Sequence, residues 1–324
     1  MLAYVARRAG VSALMLLGVA TLTFLLVHAA PGDPADLYTA REMDPAARAA
    51  VLASFGLDRP LPEQYLRWLA GLARGDLGWS FTHRRPVIEV LGERLAATML
   101  LALPAFAITM ALGAALGLVS AWRPGSAVDA AASAASLLLS SVPLFWLGSM
   151  LILAFSVRLG WFPSSGMREL IAPPGTLLGT IGDRLSHLAL PAACLALGSA
   201  AATARFVRAG LLESLASPYA AAARARGAGE RQVLLRHGLR NALLPLVTLA
   251  GLSVPFLLGG SVLVETVFSW PGMGGLSVEA IFARDYPVAM AVQLMLGALV
   301  VAGNLAADLG SALADPRLRD GWRP

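Results

Sequence analysis

Residues 95–122 read LAATMLLALPAFAITMALGAALGLVSAW, a run without a single Asp, Glu, Lys or Arg. An α-helix rises about 1.5 Å per residue, so about 20 such residues cross the roughly 30 Å hydrocarbon core of a bilayer. A helix on the surface of a water-soluble domain shows a polar stripe at every turn, and this run has none. Residues 95–122 therefore predict a transmembrane helix.

Five further runs share this lack of charge over at least 20 residues. The six runs are Ala9–Ala30, Leu95–Trp122, Ala130–Val157, Leu185–Ala204, Asn241–Val264 and Tyr286–Ala307. Hydrophobic residues make up 57% of the chain and charged residues 14%, a balance far outside that of soluble domains. We therefore predict an all-α membrane protein with six transmembrane helices. The first run is too long for a signal peptide and lacks a good cleavage site, so we expect it to be retained.

The basic residues and the cysteine exclude two classes of function. All 25 basic residues are arginines, and they lie between the runs instead of on one groove-sized face, which argues against nucleic-acid binding. The single cysteine, Cys194, lies inside the fourth run. An internal disulfide or a cysteine metal cluster is therefore excluded, and we expect neither a metal nor a cofactor.

The distribution of arginine predicts the orientation in the membrane. If the amino terminus is cytoplasmic, the inner segments carry 13 arginines and the two short outer loops carry four. The other eight lie in the first outer segment, which is at the length where the positive-inside rule loses force. This pattern favours two cytoplasmic termini.

The first outer segment, residues 31–94, contains three signals for helix starts. Asp44-Pro45 predicts a helix that ends at Gly56, and Pro62 predicts a second that ends near Gly75. Pro86 predicts a third helix that leads into the second run. We interpret the segment as a helical cap packed on the membrane helices, with a ligand-binding domain as the alternative.

The inner loop between the fourth and fifth runs, residues 205–240, is longer than two adjacent helices need. Ser217-Pro218 predicts a helix start with Ser217 as N-cap, and Gly227 predicts a left-handed end. A helix of about two turns is too short to be stable alone, so it must dock on a partner. Small residues form one side, with Arg224 and Arg226 at the edges. The alternative is a helix lying on anionic lipid.

The energy source is predicted to lie outside this chain. The six runs contain no ionisable residue except histidine, whereas ion-coupled transporters usually carry intramembrane acids. The chain has no lysine, so it cannot form a phosphate-binding loop of the Gly-Lys-Ser/Thr type. An ATP-driven permease subunit is therefore favoured. An ion-coupled transporter or passive channel, and a scaffold that only recruits a partner, remain as alternatives.

Residues 218–227, PYAAAARARG, and 234–245, LLRHGLRNALLP, resemble the signature loop of ABC importer permeases. The resemblance is strongest to the first permease subunit of the dipeptide, oligopeptide and nickel group. Further matches follow in order along the chain: PGDP at 31–34, GLDRPLP at 56–62, RGDLG at 74–78, RLGWFP at 158–163, VETVFSWPG at 264–272 and DPR at 315–317. The chain departs from the general loop in lacking its opening glutamate and in delaying its proline to Pro245, as the peptide subgroup does.

The resemblance implies a type I importer fold in the cell inner membrane. A second permease subunit completes a pseudo-twofold pore, two ATP-binding subunits dock on the inner loops and hydrolyse ATP, and an external binding protein delivers the solute. Di- or oligopeptides are the expected solutes, with nickel, sugars or other small solutes as alternatives. The expected domains are the first helix (1–30), the external cap (31–94), a five-helix core (95–312) with the coupling loop 205–240, and a cytoplasmic tail (313–324).

The resemblance and the helix signals together predict three sets of site residues. The coupling helix that docks on an ATP-binding subunit comprises Tyr219, Ala220, Ala221, Ala222, Ala223, Arg224, Ala225, Arg226 and Gly227. Hydroxyls and helix breaks predict a translocation path at Ser140, Ser141, Pro143, Ser253 and Pro255, with ordinary packing as the alternative. Glu265, Trp270, Pro271 and Gly272 are predicted at the external mouth, where Glu265 either holds the turn or faces water.

Overall fold

The computed structural model describes residues 2–29, 58–169, 176–239 and 262–314. Within these ranges the chain is helical apart from turns and one isolated antiparallel bridge between Trp79 and Pro86. The prediction of an all-α protein is therefore confirmed. The helices are α1 (Leu2–Ala29), α2 (Leu61–Ala73), α3 (Val87–Trp122), α4 (Ala127–Ser141), α5 (Leu144–Leu151, continued by π-helical Ile152–Arg158), α6 (Leu177–Leu215), α7 (Pro218–Ala225), α8 (Glu230–Gln232, continued by π-helical Val233–Gly238), α9 (Met273–Phe282) and α10 (Tyr286–Ala314). Residues 262–267 are also helical.

Long apolar helices account for five of the six uncharged runs. In the described part of the chain, four helical stretches are long and apolar enough to cross a membrane: Arg7–Ala29, Val87–Trp122, Leu177–Leu215 and Tyr286–Ala306. The pair α4 and α5 forms a fifth candidate span. The protein is therefore a multi-pass membrane protein. The run Asn241–Val264 lies mostly outside the described residues, so the sixth helix stays a prediction.

The third uncharged run is a broken helix, and its break lies at Pro143, where the sequence predicts a helix break. Its two halves, Ala127–Ser141 and Leu144–Arg158, meet at an angle of 103°. Pro143 has no backbone N–H to continue the helix, and its ring disfavours helical geometry in the preceding residue. Val142 accordingly has an extended backbone, with φ −83° and ψ 125°. The break therefore follows from the Val-Pro dipeptide.

The chain divides into two compact units, of which the second comprises Ala3–Thr98 and Pro271–Val301. Two predicted helix starts lie here. Helix α2 has Pro62 in its first turn and is followed by Gly75 at φ +79°, and α3 begins directly after Pro86. The predicted helix between Asp44 and Gly56 lies outside the described residues.

The core of the second unit joins residues that are distant in sequence. Val87, Val90 and Leu91 pack with Met273 and Leu276. Beside them the buried carboxylate of Asp285 accepts hydrogen bonds from the Ser80 hydroxyl at 2.6 Å and from the Thr82 backbone N–H at 2.9 Å. These bonds tie the loop before α3 to the start of α10.

The first unit comprises Met1–Leu2, Met99–Trp270 and Ala302–Pro324, and within it α3 and α6 approach closely. A Cβ atom added at Gly113 would lie 2.5 Å from the Thr203 Cβ, and one at Gly117 would lie 2.7 Å from both the Ala204 carbonyl oxygen and the Val207 Cβ. Glycine at these two positions lets the helix backbones come together, as is typical of membrane helices. Cys194 on α6 is fully buried, as expected of a small apolar residue.

Candidate functional site

Helix α7 forms within residues 205–240, nearly where Ser217, Pro218 and Gly227 predict it. It runs from Pro218 to Ala225, and Gly227 follows at φ +85°. The Gly227 N–H donates to the Arg224 carbonyl at 2.9 Å, and the Ala228 N–H donates to the Ala223 carbonyl at 3.1 Å. Glycine reaches this left-handed backbone without steric cost, which explains why the helix ends here.

Ser217 is the N-cap residue of α7, as predicted, but its side chain does not form the usual cap. Its backbone is extended, as at an N-cap, but its hydroxyl makes no bond to the N–H groups of the first turn. The hydroxyl instead donates backwards to the Ser214 carbonyl at 2.5 Å. Ser214 in turn shares a hydrogen bond with the Tyr219 hydroxyl, so the end of α6 and the start of α7 are tied on both sides of the turn.

One face of α7 packs against its own chain. Ala220 and Ala223 are buried against Val233, which is itself fully buried, and Leu215 and Ala228 complete this cluster. Because alanine is small, the α7 backbone can lie close to α8. Part of the small-residue face that the sequence assigns to a partner is thus already occupied.

Arg224 is also engaged within the chain and is not available at the edge of the helix as predicted. Its Nε and Nη2 atoms donate to the two carboxylate oxygens of Glu230 at 2.6 and 3.1 Å, and its Nη1 donates to the Leu215 carbonyl at 3.1 Å. Hydrogen bonding to Arg224 lowers the pKa of Glu230, and the same contact raises the pKa of Arg224. One side chain therefore braces α7 to both neighbouring helices.

The remaining face of α7 is exposed. Ala221, Ala222, Ala225 and Arg226 all face outward, and Tyr219 is 42% exposed. This surface has small side chains next to the guanidinium of Arg226. The opposite face of the helix is fixed by its packing on Val233. The exposed surface suits close packing into a groove of another protein. No group of three or more metal-ligating side chains lies together in the described parts of the chain.

The predicted path residues fall at the break of the third span where the structure describes them. The hydroxyls of Ser140 and Ser141, both exposed, each donate to the Leu137 carbonyl at 2.9 Å, and Pro143 starts α5. These serines therefore satisfy a carbonyl of the last turn of α4 while facing outward. Ser253 and Pro255 lie outside the described residues.

At the predicted external mouth, the alternative that Glu265 faces water is wrong. Glu265 is 1% exposed and Trp270 is 2% exposed. The Trp270 N–H donates to the Glu265 carbonyl at 2.8 Å, and Ser269 between them has φ +49°. The turn is thus closed by the Glu265 backbone, and Pro271 and Gly272 follow it before α9 begins at Met273.

A polar cluster that the sequence does not predict lies at the carboxyl end of α3. Asp129, in the first turn of α4, is buried and receives two hydrogen bonds from Arg208 of α6. The pattern Ser126-x-x-Asp129 is a capping signal, and the Asp129 N–H does donate to the Ser126 hydroxyl at 3.2 Å. That signal indicates the helix start, whereas nothing in the sequence pairs Asp129 with a residue 79 positions away.

Two family profiles match this chain. One, described as binding-protein-dependent transport system inner membrane component, matches residues 113–320, and the corresponding N-terminal profile matches residues 1–102. The oligopeptide transport system permease protein AppB of Bacillus subtilis (strain 168) is 42% identical over 319 residues, covering 98% of this chain and 99% of the relative. The di/tripeptide transport system permease protein DppB of Pseudomonas aeruginosa (strain UCBPP-PA14) is 40% identical over 333 residues, covering 98% of this chain and 99% of the relative.

A solved structure has a similar fold. An inward-facing crystal form of the MetNI methionine ABC transporter, from a selenomethionine soak, contains a chain that is 23% identical to this one. The match has a TM-score of 0.57 and covers 70% of this chain and 96% of that chain. At this level of identity the likeness establishes the fold alone.

Proposed function

Because the chain belongs to the family of binding-protein-dependent transport system inner membrane components, we propose that it is a permease subunit of an ATP-driven importer of di- or oligopeptides. The names of the relatives from Bacillus subtilis and Pseudomonas aeruginosa support the peptide class. The excess of arginine in the inner segments supports an inner-membrane protein with both termini cytoplasmic.

The proposed complex contains three kinds of partner. A second permease completes a pseudo-twofold pore, two ATP-binding subunits supply the energy, and an external binding protein delivers the peptide. The absence of lysine supports ATP hydrolysis in separate subunits, since this chain cannot form the usual phosphate-binding loop. The proposal includes an external cap at residues 31–94, a membrane core at residues 95–312 and a coupling loop at residues 205–240.

The observation that carries the proposal is the geometry of α7. A two-turn helix is exposed on the side of Ala221, Ala222 and Ala225, and is held from behind by Val233 and by the Arg224 brace. A docked ATP-binding subunit would therefore move α7 together with the end of α6, and not α7 alone. ATP binding then favours one of two arrangements of the membrane helices by contacting them differently.

The proposed path and mouth keep the residues that the sequence predicts. The proposed path includes Ser140, Ser141 and Pro143 at the break of the third span, together with Ser253 and Pro255 of the fifth run. A broken membrane helix is tolerated where its backbone lines a cavity or is satisfied by neighbours, which supports this placement. Glu265, Trp270, Pro271 and Gly272 form the proposed external mouth.

The test is the variant Ala222→Glu in the purified complex in lipid, with the external binding protein and trialanine supplied. Ala222 is exposed, so the change leaves the packing of α7 intact, whereas a change at buried Ala223 would disturb it. The matched control is Ala70→Glu, an exposed alanine on α2. We expect trialanine-stimulated ATP hydrolysis to fall at least about tenfold in Ala222→Glu, as at the centre of an interface, and to stay unchanged in the control.

Each outcome bears on a different part of the proposal. Wild-type hydrolysis in Ala222→Glu means that α7 is not the docking helix. Failure of any ATP-binding subunit to purify with the wild-type chain means that the importer assignment itself is wrong. Hydrolysis that responds to another solute and not to trialanine overturns only the peptide class.

A further inference from the structure

An ion pair with two parallel hydrogen bonds links α6 to the start of α4. The Arg208 Nε donates to one carboxylate oxygen of Asp129 at 2.8 Å, and Nη2 donates to the other at 2.7 Å. The Asp129 side chain is 6% exposed and that of Arg208 is 32% exposed. Such a paired geometry fixes orientation as well as distance, because both planar groups must stay aligned.

The Asp129 carboxylate also binds the preceding helix and turn. The Ser120 hydroxyl on α3 donates to one oxygen at 2.5 Å, and the Gly125 N–H donates to the other at 2.9 Å. Ser133, one turn further along α4, donates at 3.4 Å. One buried carboxylate thus joins the end of α3, the α3–α4 turn and the beginning of α4 to Arg208.

Near this point α3 and α6 also share an apolar cluster. Ala121 packs with Val207 and Leu211 in a buried cluster that includes Leu234. Apolar contacts have no preferred direction, so surfaces of this kind can slide past one another. The Arg208–Asp129 pair is directional, and it cannot slide without breaking two charged hydrogen bonds.

Arg208 lies on the part of α6 that is tied to α7. Only Ala216 and Ser217 separate the two helices, and Arg224 of α7 donates to the carbonyl of Leu215, the last residue of α6. At the other end of the linkage, α4 runs from the α3–α4 turn to Ser140 and Ser141 at the break of the third span. A continuous path of directional contacts therefore connects α7 to this break.

We propose that Arg208 and Asp129 are positioning residues that transmit a movement of α7 and α6 to α4, and so to the break of the third span. This inference rests on the proposed function of α7. Without the pair, α6 still moves with α7, but α4 follows it less closely, because the Arg205 Nη1 bond to the Ser140 hydroxyl, a polar contact that remains between the two helices, is long at 3.4 Å. The complex then hydrolyses ATP without moving a matching amount of peptide.

The experiment measures trialanine molecules imported per ATP hydrolysed by the complex in lipid vesicles. The double variant Asp129→Leu/Arg208→Leu replaces the pair by apolar side chains, a change that often leaves stability intact or improves it. Asp129→Asn is a second variant that keeps the size of the side chain. The control is Glu93→Gln, which breaks the exposed pair in which Arg85 donates to Glu93 at 2.8 and 2.7 Å.

We expect the ratio of trialanine to ATP to fall at least about fivefold in both pair variants, the lower end of the usual coupling between sites. Both pair variants should still assemble with their partners. A purely structural role would instead reduce assembly and leave the ratio unchanged. A wild-type ratio in either assembled pair variant, or an equal fall in Glu93→Gln, overturns the inference. A wild-type complex that imports no trialanine overturns the proposed function, and the inference with it.

Discussion

The variant Val233→Ala tests whether α7 is held in place from behind. Val233 is fully buried beneath Ala220 and Ala223 and is the central apolar side chain of that small cluster. The change removes two buried methyl groups, each of which stabilises the packed α7 by about 0.8 kcal/mol. The free energy needed to detach α7 from Val233 therefore falls by about 1.6 kcal/mol. An energy of that size corresponds to an increase of about 15-fold in the released population.

Amide hydrogen exchange of the complex in lipid measures this population. Exchange of residues 220–225 should accelerate by about 15-fold in Val233→Ala when opening is rapid, since the rate then follows the open fraction. Leu235→Ala is the matched control, because Leu235 lies in the same π-helical segment but is 37% exposed. Unchanged exchange in Val233→Ala, or equal acceleration in Leu235→Ala, would refute the reasoning that Val233 supports α7.

Two further predictions concern helix contacts away from that cluster. Gly117→Ala should lower the free energy of thermal unfolding by about 1–3 kcal/mol, because the new Cβ would lie 2.7 Å from the Ala204 carbonyl oxygen and from Val207. The control, Gly92→Ala on the same helix, should not destabilise, because its Cβ would meet nothing within 4 Å. Equal unfolding temperatures for the two variants would contradict the close approach of α3 and α6. The Arg224 brace lowers the pKa of Glu230 below 4.5, so its stabilising effect is present above that value and is lost as the pH falls through the lowered pKa. Exchange at α7, corrected for intrinsic rates, should therefore rise in acid for the wild type and stay flat in Glu230→Gln, and parallel profiles would show that the brace does not hold α7.

Local signals in the sequence predict much of this fold because their physical causes are local. Pro62, Pro86 and Pro218 begin helices, since proline fixes φ and needs no hydrogen bond in the first turn. Gly227 ends α7 because the turn requires a positive φ. The uncharged runs locate the membrane helices because burial in lipid excludes charge along any such segment.

Other features could not be predicted because they depend on partners distant in the chain. The end of the fourth run at Ala204 marks where charge begins, yet α6 continues to Leu215, and its Arg208 pairs with Asp129 in a way that no local signal predicts. Glu265 is an acid in the last turn of a helix before the Ser269–Trp270 turn, and only the packed structure shows that it is buried. Arg224 has an exposed position on the helix, and its engagement depends on where Glu230 lies after the Gly227 turn.

Helix α6 has a proline, Pro191, within its 39 residues. Proline removes one hydrogen bond and makes a helix easy to bend at that point. From Pro191 to Leu215 the helix is about 36 Å long. A change of helix direction at the proline therefore displaces residues further along the helix by an amount that grows with their distance from Pro191. A change of about 8° in the bend moves Leu215 by about 5 Å, nearly one helical turn, and moves Arg208 by about 3.5 Å. A small angular change at Pro191 is therefore enough to produce a large displacement where α7 begins.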